Sequence, residues 1–126
     1  MKQGGRSEKF SFRKRLVSFR YAFNGLKKLI KEEHNARIHL FITCCVLIAG
    51  AVFKISKLEW IAVVLCIGWV FAMELINSAI ENTADFISKE RNETIEKIKD
   101  LSAGAVFVAA IASAVVGLIV FLPKIL

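Results

Sequence analysis

Residues 101–122 read LSAGAVFVAAIASAVVGLIVFL, a run of 22 residues without a formal charge. At about 1.5 Å rise per residue, a helix of that length reaches roughly 33 Å, the thickness of a bilayer's hydrocarbon core. Further back, Trp60 to Met73 is also uncharged, and the apolar run resumes after Glu74 through Ile80, interrupted by Asn77 and Ser78. A third stretch, Ile38 to Phe53, reaches full length only if Arg37 and Lys54 snorkel to opposite surfaces. The 126 residues leave room for one domain, and 56% hydrophobic content with a single proline points to long uninterrupted elements. A soluble bundle is disfavoured because so small a domain lacks the polar faces to shield the charge-free 101–122 run from water. The expected fold is therefore an all-α membrane protein with three transmembrane helices, at about 37–55, 58–84 and 98–122, within a domain over 34–126. Cys44, Cys45 and Cys66 all fall inside these spans at spacings that suit neither a metal site nor a disulfide framework, and are read as small packing residues.

Residues 1–33 form a basic segment ahead of the spans. Up to Arg37 the chain holds eleven Lys or Arg against three acids, whereas the 54–59 connection holds two bases and the tail after Leu122 one. The positive-inside rule then puts the N-terminus in the cytoplasm, the 54–59 loop outside and the 82–100 connection inside. No cleavable signal peptide is expected, since no compact apolar core precedes a small-residue cleavage site. Phe12, Leu16, Phe19, Phe23, Leu26 and Ile30 fall on one helical stripe, with Arg13, Arg20, Lys28 and Lys31 to one side. Such a segment reads as an N-terminal amphipathic interfacial helix with its basic side chains among anionic headgroups, or as one packed on the protein. Topology accounts for the net charge of +7, so no nucleic-acid partner is inferred.

Within the second span Glu74, Asn77, Ser78, Glu81 and Asp85 share one face at 100° per residue. An acid near the bilayer centre costs about 2.5 to 3.5 kcal/mol even on insertion scales, so Glu74 needs a compensating role. Accepting a proton during reaction is one. The topology brings Glu33, at the start of the first span, and Lys99 with Asp100, at the start of the third, to the same level as Glu81 and Asp85. Carboxylates beside a lysine supply hard oxygen ligands for Mg²⁺ and a point charge for phosphate. There is no GxxxxGK[ST] loop to cradle phosphates. From the residues alone, a cation-binding site at the cytoplasmic face and a proton- or cation-conducting pathway are equally open.

The stretch Glu74-Leu-Ile-Asn-Ser-Ala-Ile-Glu81, followed by Asp85 and by Lys99-Asp100-Leu-Ser-Ala-Gly-Ala-Val106, resembles the small bacterial membrane kinases of the diacylglycerol kinase and undecaprenol kinase family. The likeness extends through Phe19-Arg-Tyr-Ala-Phe-Asn-Gly-Leu26 and Glu33-His-Asn-Ala-Arg-Ile-His39 and covers about 19–123. It implies an ATP- and Mg²⁺-dependent kinase of a membrane lipid alcohol in the bacterial inner membrane, built as a homotrimer with shared active sites. It further implies Glu74 as general base, Glu33 and Glu81 as metal ligands, and Asn77, Glu81, Asp85, Lys99 and Asp100 around the nucleotide. The Glu33–His39 segment resembles the undecaprenol branch more than the diacylglycerol branch. His39 itself is read as an interface histidine with a satisfied ring rather than a substrate-region residue. Trp60, at a span's outer end, is read as an interface anchor. Ala105, Ala109, Ser113 and Gly117 recur at every fourth residue, a series that lets helices approach closely within one protomer or between protomers.

Overall fold

The computed structural model describes residues 9–126; the first eight residues of the basic segment lie outside the described residues. Four helices follow in order, α1 (Phe12–Glu32), α2 (His34–Val52), α3 (Lys57–Ile87) and α4 (Glu93–Ile125). The last three are long and apolar enough to cross a membrane. Among the described residues there is no strand.

The break between α1 and α2 is a single residue, Glu33, held extended at φ −104° and ψ 115°. Two adjacent acids oppose the negative end of one helix and suit the positive end of the next, so the chain divides at their position. Arg37 completes the junction. Its guanidinium folds back from α2 onto the carbonyls of Ile30 at 3.0 Å and Lys31 at 2.9 Å, satisfying the orphan acceptors that end α1. The expected snorkelling arginine is thus a helix cap.

The other expected snorkeller, Lys54, sits in the left-handed region at φ 51°. Its N–H donates to the Ala51 carbonyl and that of Ile55 donates to the Gly50 carbonyl, a Schellman stop to α2. Ser56 and Glu59 then start α3 with a reciprocal capping box at 3.1 and 2.8 Å. Glu59 also meets Lys124 of α4 at 3.2 Å. The Trp60 ring is half-buried and lies so close over Gly50 that a Cβ there would come within 2.6 Å of it. Here the expected interface anchor is a packing residue.

Most of the packing is between α3 and α4. Val63, Val70, Asn77 and Ala84 recur every seven residues on α3, as Ile95, Ser102, Ala109 and Val116 do on α4. A seven-residue repeat keeps one seam facing a neighbouring helix along its length. Ser102 donates to Asn77 at 2.6 Å, and Ser113 reaches the Cys66 carbonyl at 3.5 Å. These two bonds fix an antiparallel register with Val63 opposite Val116, Val70 opposite Ala109 and Ala84 opposite Ile95. Ala109, fully buried, and half-buried Ser113 therefore serve packing inside the chain, whereas Gly117 borders a cavity with open space beside it and Ala105 is exposed.

Little else is buried. Phe41, Ile48, Leu65, Trp69, Phe107 and Ile119 point outward from the three long helices. Such a surface would associate in water and is ordinary against lipid tails. Cys44 and Cys45 are also exposed, so of the three cysteines only Cys66 packs inside the chain. On α1, Phe12, Leu16, Phe19 and Phe23 are exposed, and the face that packs on α3 is that of Gly25 and Leu29, about 100° or more round the helix from the apolar stripe. The protein covers one flank of α1, the basic residues take the other, and the stripe between them is left open.

Candidate active site

Every expected site residue lies at the end of the bundle where α1 meets α2 and α3 turns into α4. Glu74 lies deepest. It is 3% exposed, and His39 on α2 brings Nε2 to 3.2 Å from its Oε1, within ion-pair distance but without hydrogen-bond alignment. Oε1 is consequently a buried oxygen that no hydrogen bond satisfies. His39, expected as an interface histidine with a satisfied ring, thus turns its ring toward Glu74. Its own sequence neighbourhood gave no hint of azimuth, and the useful signal was that a buried acid calls for a partner. The ionisable groups nearest to bear on Glu74 are His39, Glu33 and Glu81.

One to two turns nearer the end of α3, the stripe divides between two neighbours. Ser78 donates to Glu33 Oε1 at 3.2 Å, tying α3 to the α1–α2 junction. Asn77 donates to Glu81 Oε1 at 3.1 Å while accepting from Ser102, whose alternative acceptor is the Lys99 carbonyl at 3.0 Å. Lys99 Nζ meets Asp85 Oδ1 at 2.6 Å, with both side chains partly exposed. Glu33, Asn77, Glu81, Asp85 and Lys99 are thus linked to one another or through α3. An ammonium group has three donors, so Lys99 can hold Asp85 and still reach a phosphate oxygen.

Asp100 does not join them. It is exposed on another face of α4, beside Glu93, Glu96, Lys97 and Leu101. Membrane level placed it correctly, but adjacent residues on a helix point about 100° apart, so the one beside Lys99 faces elsewhere. Ser78 was legible on the polar face, and Ser102 is the polar partner that sequence reasoning passed over. The seven-residue spacing of Asn77 with the α3 seam was the available signal for Ser102.

Two openings flank the cluster. A cavity of about 280 Å³ lies between α2 and α4 on the surface of α3, lined by His39, Thr43, Val46, Val70, Ala110 and Phe121 among others. It is almost wholly apolar and runs from His39 toward the far end of the bundle. On the other side, a cleft of about 560 Å³ between α1 and α3 is lined by Lys28, Glu32, Ser78 and Asn82, among others. Glu74 lines neither opening but lies one turn of α3 from Val70 on the slot and one turn from Ser78 on the cleft.

The carboxylates fit Mg²⁺ better than a metal with a full protein cage. Among the described residues, no three His, Cys, Asp or Glu side chains converge on one point. Glu33 and Glu81 nonetheless accept only from neutral groups, and no cation pairs with either among the described residues. One or two carboxylates completed by substrate phosphates and water is the usual Mg²⁺ arrangement.

The family described as Prokaryotic diacylglycerol kinase matches residues 20–121. The chain is 40% identical to the undecaprenol kinase of Bacillus subtilis (strain 168) over 107 residues, 85% of this chain and 87% of that protein. It is 36% identical over 112 residues to a diacylglycerol kinase of Synechocystis, covering 88% of this chain and 64% of that longer protein. A diacylglycerol kinase of Haemophilus influenzae is 34% identical over 92 residues, 73% of this chain and 78% of its own.

Proposed function

The chain belongs to the prokaryotic diacylglycerol kinase family and is an ATP-dependent membrane lipid kinase, and from that premise we propose that its acceptor is a long-chain lipid alcohol, undecaprenol ahead of diacylglycerol. The observation that carries this reading is the buried Glu74 carboxylate, one turn of α3 from Val70 on the apolar slot and one turn from Ser78 on the α1–α3 cleft. A lipid chain in the slot brings its hydroxyl to Glu74, while the triphosphate approaches from the side of Glu33, Glu81 and Lys99. The preference for undecaprenol is supported by the relative of that name at 40% identity.

Glu74 is the general base. As the alcohol oxygen attacks the γ-phosphorus, its O–H proton passes to the Glu74 carboxylate, the new O–P bond forms, and the bond to the β-phosphate bridging oxygen breaks to release ADP. Phosphoryl transfer asks chiefly for alignment and for neutralisation of spreading negative charge. Glu33 and Glu81 hold Mg²⁺, which when bound neutralises charge on the phosphate oxygens. Lys99 donates to the phosphates while kept in place by Asp85, and Asn77 fixes the Glu81 carboxylate.

The basic end of the bundle faces the cytoplasm of the bacterial inner membrane, where ATP is found. The protein works as a homotrimer whose sites are shared, which gives the outward-facing Asp100 a nucleotide site on a neighbouring protomer. Support comes from the uncovered face of α3, where Leu65, Gly68, Ala72 and Ala79 are all exposed and small residues would let a second α3 come close.

Purified protein given labelled ATP, Mg²⁺ and either lipid tests the proposal. Undecaprenol is expected to be phosphorylated several-fold more efficiently. A preference for diacylglycerol overturns the choice of acceptor, and failure to phosphorylate any lipid with the fold intact overturns the whole reading.

A further inference from the structure

His39 belongs to two features at once. Its ring lines the apolar slot, and its Nε2 stands 3.2 Å from the buried oxygen of Glu74. No other hydrogen-bonding partner is available to that oxygen among the described residues. A carboxylate enclosed in a membrane helix and left with a free rotamer would present either oxygen to an incoming hydroxyl, or neither. We propose that His39 is the positioning residue for the general base. In the tautomer that carries its proton on Nε2, the ring donates to Oε1 and turns Oε2 toward the slot, where the alcohol's hydroxyl arrives.

The inference rests on the lipid-kinase reading and adds to it how the base is aimed. Unliganded active sites commonly show such contacts long or misaligned, and they tighten when substrate closes the site. The 3.2 Å approach without alignment is that situation. Occupation of the slot supplies the closure: a chain lying along Val46 and Val70 reaches the His39 ring, which lines the same slot, and settles it against Oε1. The proton balance is unchanged. The hydroxyl proton goes to Oε2, and the His39 proton stays on Nε2 throughout.

The alternative is a structural role, in which His39 merely fills space between α2 and α3. Kinetics separate the two. Wild type, H39A, H39Q and H39N are assayed in lipid bilayers with undecaprenol and ATP, and kcat and the KM for ATP are read separately. Gln carries an amide N–H at about the reach of Nε2, and Asn falls short of it. Misplacing a reacting group by an ångström costs up to about a hundredfold. H39A is therefore expected to lose about ten- to a hundredfold in kcat, with the ATP KM within about threefold. H39Q is expected to recover several-fold over both H39A and H39N.

H39A with kcat within twofold of wild type overturns the inference. So does a loss that falls on the ATP KM, or H39Q no better than H39N while both melt at the wild-type temperature. If H39A does not fold, the Gln–Asn comparison carries the test alone. A wild type that phosphorylates no lipid sinks the lipid-kinase reading and this inference with it, whereas an active wild type indifferent to residue 39 sinks only the inference.

Discussion

Glu74 owes its visibility to cost. A carboxylate in the middle of an apolar run stands out from the sequence, and at 100° per residue its face gathers Asn77, Ser78 and Glu81 without further information. The structure keeps all four at least half-buried on the inner side of α3. The directions of His39 and Asp100 around their helices were not legible, for a common reason. Sequence gives a residue's depth in the membrane through its distance from a span's end, but its direction around the axis only when several residues share a pattern. A lone histidine has no such pattern, and Asp100 was assigned by level alone. Removing the Glu74 charge while keeping its shape tests the assignment directly. Glu74→Gln is expected to lower kcat by about 10²- to 10⁴-fold, the usual worth of a general base, with ATP binding retained. Undiminished turnover in a phosphate-transfer assay would exclude Glu74 as the base.

At the scale of elements, the existence and order of the three long helices follow from their hydropathy, and the apolar stripe of α1 follows from its periodicity. What the stripe could not reveal is that the protein packs against a different face, through Gly25 and Leu29. A glycine and one leucine leave too small a signature beside six large apolar residues. The α3–α4 seam was legible in principle, because both helices repeat every seven residues, but apart from Ile95 it is made of Val, Ala, Ser and Asn, which a search for large apolar side chains passes over. Within it the Ser102–Asn77 bond is a polar layer, and such interhelical bonds in membrane proteins are worth about 0.6 kcal/mol on average and up to about 1.7. Ser102→Ala should destabilise the protein by that amount, read as a lower midpoint in a reversible detergent unfolding titration. It should also lower activity, because Asn77 loses the anchor that aims it at Glu81. Unchanged stability and activity together would show that the layer contributes nothing.

For the whole molecule, charge distribution is the legible quantity and quaternary arrangement the illegible one. Eleven basic residues before residue 38 bias one end of the bundle toward the cytoplasm, a bias that needs no knowledge of packing. Which outward face meets lipid and which meets another copy is not encoded in hydropathy, since both are apolar. The orientation can be read by thiol labelling of intact cells with a membrane-impermeant reagent. A cysteine at Lys57 should react from outside and one at Glu93 should not; the reverse pattern would invert the topology.

The slot beside Glu74 has a consequence for fidelity. Every kinase must keep water from taking the place of its acceptor, because water attacks the same phosphorus. In the proposed mechanism the acceptor approaches Glu74 from an almost wholly apolar cavity lined by His39 and Val70, and the carboxylate is shielded from bulk solvent. A lipid alcohol can travel that path with its chain solvated throughout; a lone water molecule would have to give up its hydrogen bonds to do so. Hydrolysis of ATP without lipid should accordingly be at least about a hundredfold slower than lipid phosphorylation, as about 2.7 kcal/mol of desolvation would give, and a polar opening such as Val70→Ser should raise it. The membrane then acts as a filter on the reaction itself, so that ATP turns over when a lipid acceptor is in place.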